Sequence, residues 1–94
     1  MGGEKDRKVP RVVVYTKDYC PFCNHAKRLL RSKNVDFEEI DVTHDWDVQE
    51  KVQLLSGRRT VPQIFIDGEA VGGFEDLRRL EESGELDRLL GDQA

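Results

Sequence analysis

A chain of 94 residues is long enough for one hydrophobic core and too short for two domains of ordinary size, and its 37% hydrophobic and 36% charged content argues against global disorder. With 15 basic against 19 acidic side chains, the formal charge of -4 leaves no electrostatic footprint for nucleic acid or an anionic membrane. No apolar run approaches the roughly 20 residues that span a bilayer, the N-terminal stretch has no signal-type apolar segment, and Asp6 stands where a myristoylation pattern needs Ser or Thr.

Met1 to Lys8 are polar and without periodicity, so residues 1–8 are expected to form a disordered leader and residues 9–94 the folded domain. Val12-Val13-Val14-Tyr15 is continuously apolar and rich in β-branching, which predicts a central strand covered on both faces. Phe22, Ala26, Leu29, Leu30 and Lys33 then recur at helical spacing, with Asn24, Lys27, Arg28 and Arg31 opposite, predicting a helix from Pro21 to Lys33. Val35 to Ile40 partly alternates and predicts a second strand. Asp45 follows as an N-cap for a short helix striped by Val48, Val52 and Leu55 and stopped by Gly57. Gln63 to Ile66, Asp67-Gly68 and Glu69 to Val71 predict a hairpin, because Asp-Gly tolerates positive φ at both turn centres. Gly72-Gly73 opens a helix on Phe74, Leu77 and Leu80, and a last amphipathic piece carries Leu86, Leu89 and Leu90. The order βαβαββα, with a right-handed crossover between the first two strands, predicts an α/β, thioredoxin-like fold: a four-stranded mixed sheet flanked by helices.

Cys20 and Cys23 lie too close together to staple distant segments, and a secreted scaffold of this size carries more cysteines, so a reducing, cytosol-like setting fits. Cys20-Pro21-Phe22-Cys23 falls where the first strand gives way to a helix. A thiol there faces unsatisfied N–H groups and the positive end of the dipole, which favour thiolate, so Cys20 is the expected attacking sulfur. Pro21 suits the first helical turn because it needs no intrahelical donor. Cys23, one turn in, is expected to be more buried and to resolve mixed disulfides. The competing readings are two inert core cysteines or half of a zinc site. Zinc takes four ligands, and neither His25 nor His44 has ligand-pair spacing with the cysteines, so redox chemistry weighs above metal and no metal site is expected. His25 on a helix surface and His44 in a polar loop need no special role.

Two further motifs carry weaker signals. In Thr60-Val61-Pro62 a proline enters a strand where no ladder donor is needed. A cis bond there would turn the Val61 backbone toward an extended peptide, whereas spacing alone favours a trans, strand-initiating proline. In Gly72-Gly73-Phe74-Glu75-Asp76 the glycines permit close approach of a ligand, the helix N–H groups suit a carboxylate and Asp76 suits an ammonium. The same pattern also reads as plain helix initiation, since acidic residues favour that end.

Together, in this order and spacing, the three motifs resemble the dithiol glutaredoxins, close to the bacterial glutaredoxin 3 type. The likeness runs from about Val12 to Leu90 and includes Tyr15-Thr16-Lys17 and Ser56-Gly57-Arg58-Arg59. It implies an enzyme that reduces protein disulfides and protein–glutathione mixed disulfides, with glutathione as co-substrate and no tightly bound cofactor, acting as a monomer in the cytoplasm. It also implies a cis Pro62 and a glutathione groove. There the Val61 backbone pairs with the cysteinyl part, and Lys17, with Arg58 or Arg59, meets the glycyl carboxylate. Phe22 and Thr60 line the groove, the N–H groups of Phe74 and Glu75 beyond Gly73 hold the γ-glutamyl carboxylate, and Asp76 lies near its amine. Lys17 would favour the Cys20 thiolate by proximity. Phe22 stands where tyrosine is common, and Phe74 where many relatives have cysteine or a small residue. Two neighbouring readings are a protein of the same fold reduced by thioredoxin reductase, and an iron–sulfur carrier whose dimer shares a cluster through Cys20 and two glutathiones. Pro21 argues against the carrier, because cluster-holding members tend to have Gly or Ser there.

Overall fold

The computed structural model describes residues 10–91, so the leader expected at residues 1–8 and the expected domain start at Val9 lie outside the described residues. Strand β1 (Val12–Thr16) alternates in burial: Val12, Val14 and Thr16 are buried, while Val13 and Tyr15 are half-buried. It pairs in parallel with β2 (Glu38–Asp41), from Val13 opposite Glu38 to Thr16 opposite Asp41. Its other edge runs antiparallel to β3 (Gln63–Ile66), with Val12 opposite Ile66 and Tyr15 opposite Gln63. Asp67 and Gly68, at φ 53° and 86°, turn β3 back into β4 (Glu69–Gly72), the positive-φ pair that Asp-Gly favours. The sheet order is β2-β1-β3-β4, the mixed four-stranded arrangement that the element order predicts.

Because strand side chains alternate, Val12, Val14, Ile64 and Ile66 share one sheet face. Three helices cover it: α1 (Pro21–Ser32), α3 (Phe74–Ser83) and α4 (Glu85–Leu89), which contribute Ala26, Leu30, Leu77 and Leu86 to one core. Each fully buried leucine stabilises by about 1.5–3 kcal/mol. The Lys33 ammonium, just past α1, reaches Glu81 at 2.6 Å and Asp87 at 2.9 Å and so ties the three helices together at their edge. Helix α2 (Trp46–Ser56) covers the opposite face, where Val52 shares a cavity wall with Tyr15 and Val42. Its ends are those the residues predict: the Asp45 carboxylate accepts from the Val48 N–H at 3.2 Å, and Gly57 is left-handed at φ 78°.

Four expectations need correction. β1 is fully covered on one face only, since α2 leaves Val13 and Tyr15 partly open. The second strand begins at Glu38, not Val35, because Val35 and Phe37 pack against the core cluster instead of pairing with β1. The buried stripe of α1 is Cys23, Ala26 and Leu30, which leaves Phe22 55% exposed. On α2 only Val52 is buried; Leu55, at 66% exposure, overhangs a shallow cavity of about 220 Å³ beside Val13 and Phe65. Among the described residues no helix is long and apolar enough to cross a membrane.

Candidate active site

Cys20 is the N-cap of α1, with extended backbone at φ -119° and ψ 97°, and Pro21 follows in the first turn. Its Sγ accepts a hydrogen bond from the Cys23 N–H at 3.1 Å, and its carbonyl accepts from the Cys23 and Asn24 N–H groups at 3.1 and 3.2 Å. The sulfur therefore caps one of the first N–H groups of the helix. Cys20 and Cys23 are joined as a disulfide across a Cα separation of 5.2 Å. Cys23 is 2% exposed, whereas Cys20 is partly open to solvent, the asymmetry the sequence predicts.

Opposite the cysteines, the Val61–Pro62 bond is cis, as the resemblance implies and spacing alone did not. The Val61 carbonyl oxygen lies 3.8 Å from Cys20 Sγ. Gln63 fastens this loop from below: at 2% exposure, its Nε2 donates to the Thr60 carbonyl at 2.6 Å and the Arg58 carbonyl at 3.3 Å. Gln63 gave no signal in the sequence beyond a strand position.

The third corner is the entry to α3. Gly72 adopts φ 122°, and a Cβ there would fall 2.5 Å from Asp76 Oδ2. That oxygen accepts from the Gly73 N–H at 3.0 Å, while the Gly73 carbonyl accepts from the Leu77 N–H at 3.0 Å, so the helix start is closed from both sides. Asp76 also pairs with Arg58, whose Nη1 lies 2.6 Å from Oδ2. The Arg58 guanidinium first and the Gly73 N–H second hold the Asp76 carboxyl below the ordinary carboxylate range.

Phe22, Thr60, Val61, Pro62, Gly73, Phe74, Glu75 and Asp76 line one groove of about 300 Å³, which brings together most of the residues the sequence singled out. Lys17 and Arg59 line an adjoining cavity of about 160 Å³ that shares Arg58, Thr60 and Val61 with the groove. Among the described residues, neither Lys17 nor Arg59 has an ion-pair partner. The Cys23 N–H donates to Cys20 Sγ. Gln49 and Gln53 of α2 also line the second cavity, and nothing in the sequence singles them out. The His25 imidazole lies 5.5 Å from the Phe74 ring, which itself stacks on Phe22 at 6.3 Å. Among the described residues no three His, Cys, Asp or Glu side chains gather as metal ligands would.

Comparison with known proteins places the chain in one family. Residues 12–71 match the glutaredoxin family profile. The chain is 48% identical over 79 residues to glutaredoxin 3 of Escherichia coli K12, covering 84% of this chain and 95% of that protein. The solution structure of glutaredoxin from Brucella melitensis superposes with a TM-score of 0.77 at 46% identity, covering 85% of this chain and 87% of that one. The crystal structure of a buckwheat glutaredoxin–glutathione complex superposes with a TM-score of 0.81 at 26% identity, covering 95% and 86%.

Proposed function

Because the chain belongs to the glutaredoxin family, whose activity is glutathione-dependent thiol–disulfide oxidoreduction, we propose that Cys20 is its attacking thiolate, Cys23 its resolving thiol, and the groove between Pro62 and Gly73 the seat of glutathione. The observation that carries the reading is the position of Cys20 Sγ at the start of α1, accepting the Cys23 N–H at 3.1 Å and bordering the groove through Val61. Helix-terminal donors stabilise an anion, and the thiolate is the reactive form of cysteine. The relative solved with glutathione supports the choice of ligand.

On a protein–glutathione mixed disulfide, the Cys20 thiolate attacks the glutathione sulfur. The protein–glutathione S–S bond breaks, and the protein sulfur leaves as thiolate and takes a proton. A second glutathione thiolate attacks the glutathione now on Cys20, releasing glutathione disulfide and restoring the Cys20 thiolate. On a protein disulfide, Cys20 forms the mixed disulfide and Cys23 attacks Cys20, freeing the second substrate thiol. Two glutathiones then reduce the Cys20–Cys23 bond.

In the groove, the Val61 backbone pairs with the cysteinyl part of glutathione and Thr60 and Phe22 form its walls. Lys17 and Arg59, which have no ion-pair partner among the described residues, take the glycyl carboxylate. The N–H groups of Phe74 and Glu75 hold the γ-glutamyl carboxylate, and Asp76 faces the amine. Residues 9–94 act as one domain, a monomer working in the cytoplasm on disulfide-bonded or glutathionylated proteins, without a tightly bound cofactor. Turnover of a glutathione mixed disulfide with glutathione, glutathione reductase and NADPH tests the reading. Cys20→Ser abolishes it, and Cys23→Ser keeps deglutathionylation while losing protein-disulfide reduction. Equal loss of both activities in Cys23→Ser, or turnover supported by thioredoxin reductase instead, contradicts it.

A further inference from the structure

Asp76, the carboxylate assigned above to the ligand's ammonium, is already taken. Arg58 Nη1 lies 2.6 Å from its Oδ2, and Nη2 lies 3.5 Å from Oδ1. The pair joins residues 18 positions apart, one before the cis proline and one in the first turn of α3, across the groove both of them line. An ammonium entering there meets a guanidinium first. The Arg58 side chain is 49% exposed and also lines the adjoining cavity, so it has room to swing aside without repacking the core. Asp76 keeps its second partner, the Gly73 N–H at 3.0 Å, and so stays aimed when Arg58 leaves. Arg79, at 3.9 Å, is the other cation near Asp76 and lies too far for a hydrogen bond.

We propose that Arg58 is a specificity-determining residue: it holds Asp76 as an internal counter-cation and yields it to a ligand's ammonium, so that the amine preference Asp76 gives the groove is weakened by the pair the amine must break. The inference rests on the placement of the γ-glutamyl amine at Asp76. A ligand that brings the ammonium must break the Arg58–Asp76 pair, while one without it leaves the pair in place. Arg58 thereby sets how strongly the groove prefers an amine-bearing terminus, and Lys17 and Arg59 remain for a carboxylate elsewhere in the ligand.

The test uses the reduced full chain and two probes, the mixed disulfide of glutathione with 2-mercaptoethanol and the same compound lacking the α-amino group. The ratio of their second-order rate constants for reaction with Cys20, from single-turnover quenching, reads the amine preference alone. Arg58→Met raises that ratio about two- to fivefold, the range of one partly exposed ion pair, because the ammonium no longer has to displace a cation. Arg58→Lys restores a ratio near the wild-type value, and Asp76→Asn erases the preference. An unchanged ratio in Arg58→Met, with the preference still erased by Asp76→Asn, overturns the proposal and leaves the ligand placement standing. A preference that survives Asp76→Asn instead overturns the placement, and the role of Arg58 with it.

Discussion

Asp76 does two structural tasks with one carboxylate, capping the Gly73 N–H and pairing with Arg58, and both partners favour its charged form. Glu39 is held low in the same way, by Lys27 first and then Thr16, across the β1–β2 edge. The native values are depressed relative to the unfolded chain. Their contribution to stability is therefore complete above the ordinary carboxylate value of about 4 and is lost as pH falls through the native values. Urea unfolding compared at pH 7 and in acid below about pH 4 is expected to show a flatter acid limb for Asp76→Asn and Glu39→Gln than for the wild type. Parallel limbs in all three would contradict the assignment. None of these pairings was legible in the sequence, where Arg58 and Asp76 sit in separate motifs. In the fold both residues line one groove, a meeting that their separation of 18 positions does not announce.

Among the elements, the turn from β4 into α3 is the one whose chemistry leaves no alternative residue. Gly72 stands at φ 122°, which L side chains rarely adopt, and an added Cβ would press on the Asp76 carboxylate at 2.5 Å. Gly72→Ala is expected to lower stability by about 1–3 kcal/mol and to raise KM for a glutathione mixed disulfide, read by urea unfolding and steady-state kinetics. A variant of wild-type stability and KM would show that the turn does not depend on this conformation. Helix ends were legible wherever one residue fixes them, as Asp45 and Gly57 do for α2. The face a helix buries was less so. Cysteine was weighed for its chemistry and not as an apolar residue, so the α1 stripe was phased through Phe22 when it runs through Cys23, Ala26 and Leu30. β2 was shifted because an exposed edge strand, with only Ile40 half-buried, imposes little alternation on its residues.

At the scale of the molecule, one core on one sheet face carries the site. Leu30, with 0% exposure, lies in the same cluster as Val14, Leu77 and Leu86, so α1 and α3 present Cys20 and Asp76 from a shared foundation. Leu30→Ala is expected to cost about 2–5 kcal/mol in thermal or urea unfolding while leaving the residual folded protein active. A loss below about 1 kcal/mol would mean that the core relaxes around the cavity. Two exposed aromatic side chains, Tyr19 and Phe22, flank Cys20 at the edge of this foundation.

The central claim is that Cys20 reacts because α1 begins at it. Alkylation of the reduced protein with iodoacetamide across pH 3–10, with the modified residue located by mass spectrometry, tests this most directly. The account predicts that Cys20 is labelled first, with a midpoint well below the ordinary thiol value of about 8.5, while buried Cys23 lags. Labelling of Cys20 only at ordinary alkaline values, or of Cys23 ahead of it, would contradict the account.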